Sequence, residues 1–345
     1  LPSHRLPSRF TLSRIVAPLL LVLALGACGS ATTLPDMAEA VPADGAIVAT
    51  DGFRLPLRQW EAEAPTRVVL AVHGFGDYGG GFEALAETLT AEGMTVYAYD
   101  QRGFGATGDR GLWAGQERMT QDLAEVADAL RQRHPELPLY LVGKSMGGAV
   151  SILALTGTSP PPVDGVVLIA PAVWSRDTMP WYQRLGLELG THLAPAMELS
   201  AELAVNLGVE PTDDPDVIEA LREDPLVQRS ARVDTIQGLT TLMGDAQAAA
   251  LRLRGPALVL YGERDEIIPA EPTCLLFRKF ANAGARDLRL ALYPDGYHML
   301  TRYTGADKVH ADIAAWLKGV DQPLPSGSEV TRAEALERLC DDSIP

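Results

Sequence analysis

Leu139-Tyr140-Leu141-Val142-Gly143-Lys144-Ser145-Met146-Gly147, continued by Gly148-Ala149-Val150-Ser151-Ile152-Leu153, is the stretch from which the fold can be read. The apolar run that ends at Val142 has the length of a buried strand, while Ala149, Ile152 and Leu153 recur at helical spacing. Between strand and helix lies G-x-S-x-G. Glycines two residues to either side of the serine suit a turn so sharp that Cβ atoms there would collide with strand and helix. The pentapeptide alone recurs by chance, and its context gives it meaning.

Outward from this turn, apolar strand-like runs at 68–72, 95–99 and 166–169 alternate with helical patterns, one of which carries Leu123, Val126, Ala127 and Leu130 on a single stripe. Continuous apolar strands alternating with helices predict an α/β fold, a mostly parallel sheet covered on both faces. Residues 46–60 read as a hairpin turning at Asp51-Gly52. The alternation stops at Pro171 and resumes with runs at 257–261 and 288–292 and a last helix built on Val309, Ile313, Trp316 and Leu317. The core therefore spans 46–171 and 256–319. A structureless loop over 172–255 would be out of place in a compact domain, and the insertion carries two helical stripes: Tyr182, Leu185, Leu189, Leu193 and Ile236, Leu239, Met243, Ala246. It is expected to be a helical cap. With Trp174, Met179 and Trp181, the first stripe exceeds what one helix needs for packing, and some of these residues are expected to line an acyl tunnel and its mouth. In the extension 320–345, Thr331-Arg332-Ala333-Glu334 is a capping-box pattern that starts a short helix.

Arg5, Arg9 and Arg14 precede an apolar run over 15–25, too short to span a bilayer, which ends in Leu25-Gly26-Ala27-Cys28. This predicts an export signal over 1–27. Small residues before a cysteine resemble the lipobox of bacterial lipoproteins, which implies a lipidated Cys28, a tether over 28–45 and an exported, membrane-anchored, periplasm-facing protein. Net charge is −16, so the surface repels phosphate backbones and no nucleic-acid partner is expected. Cys274 and Cys340 could pair in an oxidising compartment or remain free thiols, and neither has metal-ligand spacing. No cofactor and no metal are called for.

A serine hydroxyl needs a base, and the base needs an orienting acid. Of the six histidines, His298 in Tyr293-Pro294-Asp295-Gly296-Tyr297-His298 follows the last strand in a loop able to reach Ser145. His73 precedes a glycine turn and shapes it. His4, His134, His192 and His310 fall in the signal, at a helix end, in the cap and in the last helix. Asp265, in Gly262-Glu263-Arg264-Asp265, gives the chain order Ser, Asp, His; Glu263, Glu266 and Asp295 are the rival acids. A tetrahedral intermediate needs two preset donors, and the backbone N–H groups of Phe75 and Met146 are the candidates.

From about His73 to Leu317 the chain resembles the monoacylglycerol lipase and lysophospholipase group of α/β-hydrolases. The likeness rests on His73-Gly74-Phe75-Gly76-Asp77-Tyr78, Asp100-Gln101-Arg102-Gly103-Phe104-Gly105, the serine turn, the 262–265 turn and Tyr297-His298. It departs where Lys144 stands for the usual histidine and Gly81-Phe82 for a frequent Arg-Tyr. The resemblance implies a serine ester hydrolase acting on a lipid-like monoacyl ester, with a membrane as partner through lipidated Cys28 and the cap. A thioesterase or peptidase on the same fold, or a non-catalytic lipid-binding lipoprotein, remain alternatives. Gly74-Phe75-Gly76-Asp77-Tyr78-Gly79 with Asp100 also fits the dinucleotide-binding pattern of an NAD-dependent dehydrogenase. That reading leaves Asp265 and His298 without a purpose.

Overall fold

The computed structural model describes residues 45–200, 209–282 and 287–340. The expected signal, Cys28 and the tether before Gly45 lie outside them. Strands β1 (Gly45–Val48), β2 (Arg54–Trp60), β3 (Arg67–Val72), β4 (Met94–Tyr99), β5 (Leu139–Lys144) and β6 (Gly165–Ile169) precede the insertion. A two-stranded ribbon within it, β7 (Glu198–Ser200) with β8 (Ser230–Arg232), is antiparallel. Beyond it come β9 (Ala257–Gly262), β10 (Leu288–Tyr293) and β11 (Glu329–Val330). The main sheet has the order β1-β2-β4-β3-β5-β6-β9-β10-β11. Pairing is parallel from β4 through β10 and antiparallel at the two edges.

Alternation along each strand divides the core into two layers. Val68, Leu70 and Val72 of β3 face the helices Gln116–Arg133, Met146–Thr156 and Ala270–Asn282. Val69 and Ala71 face Glu83–Ala91 and Ala306–Lys318, where Trp316 is fully buried. The sheet is thus covered on both faces, which is why its central strands read as unbroken apolar runs. β5 runs two residues past the expected end at Val142, because Gly143 and Lys144 still pair with Leu168 and Ile169 of β6. β11 had no strand signature in the sequence, being two residues long.

The insertion contains the helices Trp181–Leu193, Pro215–Glu223 and Val233–Ala249. Leu242, Met243, Ala246 and Ala249 of the last are buried against the core, so this helix packs as part of the body. The helix Trp181–Leu193 is different: it buries none of its residues. Trp181 (68%), Tyr182 (45%), Leu185 (50%), Leu189 (51%) and Leu193 (81%) are exposed, while Trp174 and Met179 are half-buried against the core. These five side chains therefore form an outward apolar face rather than a closed tunnel wall, the placement expected of a mouth, since an i, i+4 stripe shows which residues share a side and not what covers that side. Among the described residues no helix is long and apolar enough to cross a membrane.

At the C-terminus Thr331 caps the helix Arg332–Leu339 in a full capping box with Glu334. Cys274 and Cys340 form a disulfide with Cα atoms 5.3 Å apart, tying this helix to Ala270–Asn282.

Candidate active site

Ser145 sits between β5 and the helix Met146–Thr156 with φ 52° and ψ −118°, a conformation that costs a non-glycine residue about 1–3 kcal/mol. Its surroundings hold it there: Ser145 N–H donates to Ile169 O at 2.9 Å, and Ser145 O accepts from Gly148 N–H at 2.9 Å and Ala172 N–H at 3.0 Å. The flanking glycines are needed for the reason the sequence suggests. A Cβ on Gly143 would lie 2.7 Å from Gly147 O, and one on Gly147 only 2.0 Å from Val72 O.

His298 Nε2 lies 2.9 Å from Ser145 Oγ, and His298 Nδ1 lies 2.7 Å from Asp265 Oδ2. Asp265 Oδ1 accepts from the N–H groups of Ile267 and Ile268, both at 2.9 Å, which leaves Oδ2 for the imidazole. That acceptor fixes the proton on Nδ1 and turns the Nε2 lone pair toward the serine hydroxyl. All three side chains are buried. The two loops meet at Gly262, where a Cβ would come within 2.3 Å of Gly296 O, and Arg264 N–H donates to that same oxygen at 2.9 Å.

The rivals have other partners. Glu263 pairs with Arg338, Asp295 with Arg264, and Glu266 accepts from Glu210 N–H. His310 contacts Thr301 O through Nε2, His134 contacts the Tyr97 hydroxyl, and His192 is exposed beside Glu188. His73 is buried, with Nε2 accepting from Gln101 N–H at 2.9 Å and Nδ1–H donating to Gly74 O at 2.8 Å. Burial holds its pKa below the ordinary histidine value, so it stays neutral and braces the loop.

That loop runs directly against the serine turn, since a Cβ on Gly74 would lie 3.2 Å from Ser145 Cβ. The Phe75 peptide thereby comes beside the turn, its ring edge-on to Phe104 at 5.3 Å. Met146 is the first helical residue, and its N–H has no acceptor within the helix. Such a site can present a hydroxyl, a base and two backbone donors to one carbonyl. Asp100, which a dinucleotide would need for its ribose, is fully buried and occupied by Arg58, Gly79 N–H and Ala106 N–H. Among the described residues no cluster could hold a metal ion.

Two features escaped sequence reasoning. The buried Asp77 carboxylate accepts from Lys144 Nζ at 2.6 Å and from Arg302 Nη2. Burial, followed by the charge of Arg302, pushes the Lys144 ammonium down to about 8 against the pull of Asp77. Burial alone would raise Asp77, but Lys144 and Arg302 outweigh it and hold the carboxyl well below its usual range. The second feature is a set of bonds from residues 210–228 to the loops around Ser145. Gln228 N–H donates to Gly76 O at 2.8 Å, Met299 N–H to Pro211 O at 2.9 Å and Thr212 Oγ1 to Arg302 O at 2.6 Å. Tyr78 Oη adds a bond to Asp224 at 2.7 Å. Lys144 and Gly81 stood out in the sequence only as departures from the family resemblance, with nothing to join them to Asp77, and no sequence pattern marked the second feature.

Known proteins have related sequences and a related fold. A monoacylglycerol lipase of Mycolicibacterium smegmatis is 28% identical over 292 residues, covering 81% of this chain and 99% of its own. A monoglyceride lipase of Mus musculus is 29% identical, covering 74% of this chain and 83% of its own. The crystal structure of the Paleococcus ferrophilus monoacylglycerol lipase superposes with a TM-score of 0.63 at 26% identity, over 76% of this chain and 98% of that one. The Hydrolase_4 family, serine aminopeptidase S33, matches residues 63–303. With that match extending over most of its length and a serine, histidine and aspartate in hydrogen-bond contact at its centre, the chain belongs to the Hydrolase_4 (serine aminopeptidase S33) family of α/β-hydrolases.

Proposed function

We propose that this protein is a serine hydrolase that cleaves monoacyl lipid esters, a monoacylglycerol or a lysophospholipid, through an acyl-enzyme. The observation that carries the reading is the continuous hydrogen-bonded chain from Ser145 through His298 to Asp265. Ser145 Oγ attacks the ester carbonyl while its proton passes to His298 Nε2. Asp265 keeps the imidazole in the required tautomer and stabilises the imidazolium. The oxyanion is held by the Phe75 and Met146 N–H groups, each contributing about 3 to 4 kcal/mol in related sites. His298 then protonates the leaving alcohol, and on its departure takes a proton from water, which attacks the acyl-serine; the imidazolium returns that proton to Ser145 Oγ as the Oγ–acyl bond breaks and the fatty acid is released.

The choice of a lipid ester is supported by the names of the relatives and by the apolar outward face of Trp181, Leu185, Leu189 and Leu193, which suits a lipid surface. Export and anchoring through a lipidated Cys28 are part of the same reading, supported by the Leu25-Gly26-Ala27-Cys28 pattern. Cys28→Ala should then move the protein from the membrane fraction to the soluble one; unchanged sedimentation would remove the lipid anchor from the proposal.

A panel of mono-, di- and triacylglycerols, lysophospholipids, acyl thioesters and aminoacyl amides tests the substrate class. Monoacyl esters should be turned over fastest, and Ser145→Ala should lower the rate by about 10⁴-fold or more. Preference for aminoacyl amides would replace the ester reading with the peptidase one, which the family's name keeps in view.

A further inference from the structure

Lys144 and Gly81 meet at one carboxylate. Lys144 donates to Asp77 Oδ2 at 2.6 Å, and a Cβ on Gly81 would come within 2.6 Å of both Asp77 oxygens, so the missing side chain is what lets the carboxylate occupy its place. Arg302 donates to the same Oδ2, and Tyr78 N–H donates to Oδ1 at 3.0 Å. Asp77 also closes the turn that contains Phe75, its own N–H donating to Gly74 O at 3.3 Å. Lys144 immediately precedes Ser145 in the chain, and Arg302 lies four residues beyond His298. One buried anion thus connects the three segments that carry Phe75, Ser145 with Met146, and His298.

We propose that Asp77, Lys144 and Arg302 are positioning residues that lock the two oxyanion donors and the histidine loop into a common register. The inference rests on the reading of Ser145 as nucleophile. None of the three is required to touch substrate. The cluster acts beyond the ends of β3, β5 and β10, where strand pairing stops and the loops that carry Phe75 and His298 begin, and a displacement of about 1 Å in such a site can cost about 10²-fold in rate. Two cations on one carboxylate make the arrangement directional, because neither ammonium nor guanidinium has another anion at hand in the cluster.

The test compares Lys144→Met, Lys144→His and Asp77→Asn in the full chain, with melting temperature, fluorophosphonate labelling and ester kinetics measured on each. Lys144→Met removes the donor but keeps the stem's bulk. It should fold, label to completion more slowly than wild type, and show kcat reduced by about 10- to 100-fold with KM within about threefold. Lys144→His restores a donor toward Asp77 and should recover most of that kcat, which a merely space-filling role would not produce. Asp77→Asn, if folded, should match Lys144→Met in kcat; if it does not fold, the two Lys144 variants decide alone. A folded Lys144→Met with wild-type kcat, or a Lys144→His no better than Lys144→Met, overturns the proposal. Undiminished turnover by Ser145→Ala would instead overturn the nucleophile reading beneath it.

Discussion

Replacing Cys340 by serine removes a cross-link between residues 66 apart in sequence, and the size of the effect follows from that separation. Closing a loop of this length in the unfolded chain is worth about 4 kcal/mol in the chain-entropy treatment. An unfolding entropy of about 2.1 cal/mol/K per residue over the 284 described residues converts this into a melting temperature lower by about 7 °C. Local contacts oppose the loss. Ala335 and Leu339 are buried, Arg338 pairs with Glu263, and β11 pairs with β10, so the C-terminal helix keeps its seat without the disulfide. The serine variant should therefore remain folded and active, with the full entropic penalty visible in calorimetry and in the urea midpoint at unchanged slope. Cys274 is fully buried, which makes substitution a cleaner perturbation than reductant. A melting temperature within about 1 °C of wild type would refute the reasoning, since it would mean that the helix Arg332–Leu339 detaches before the core unfolds.

Asp265→Asn should keep the fold and lower kcat by about 10⁴-fold through the wrong imidazole tautomer, whereas Asp295→Asn, which loses only an exposed pair with Arg264, should be nearly silent; the reverse ranking in ester kinetics would move the acid to Asp295. His310 is buried and its pKa lies below the ordinary value, chiefly from burial, so below pH about 6.5 the unfolded chain binds a proton that the folded chain refuses and stability falls on acidification. In His310→Gln the stability lost between pH 7.5 and 5 should be smaller than in wild type. Equal losses, measured by urea unfolding at the two pH values, would show that His310 titrates normally.

The parts legible in the sequence are those whose physics is local or periodic. Unbroken apolar runs announced buried parallel strands, and glycines around Ser145 announced a turn that the structure shows to be closed to any Cβ. Thr331 and Glu334 announced a helix start because a capping box is complete within four residues. The order of Ser145, Asp265 and His298 could be read because each follows a strand end, and strand ends in a parallel sheet point the same way. What escaped depends on contacts distant in the chain. The Asp77 partners lie 67 and 225 residues away, and no spacing rule links them. Cys274 and Cys340 were visible as residues but not as a pair, because bonding depends on a 5.3 Å separation that only the packed helices define. The stripe at 182–193 was legible as one helix face, but without any signal about its neighbour the sequence could not separate a tunnel wall from an exposed mouth.

The uneven attachment of the insertion bears on how such an enzyme could be re-tailored, by breeding or by design. The helix Trp181–Leu193 touches the body mainly through Val233–Ala249, so a graft confined to that helix would exchange the greasy sole of the molecule without disturbing the reaction chamber. A graft that reached 211–228 would take with it Pro211, Thr212, Asp224 and Gln228, and with them the braces on Gly76, Tyr78, Met299 and Arg302. The insertion is therefore two modules spliced into one: an outer helix that can be exchanged by itself, and a keystone whose loss would slacken the whole arch.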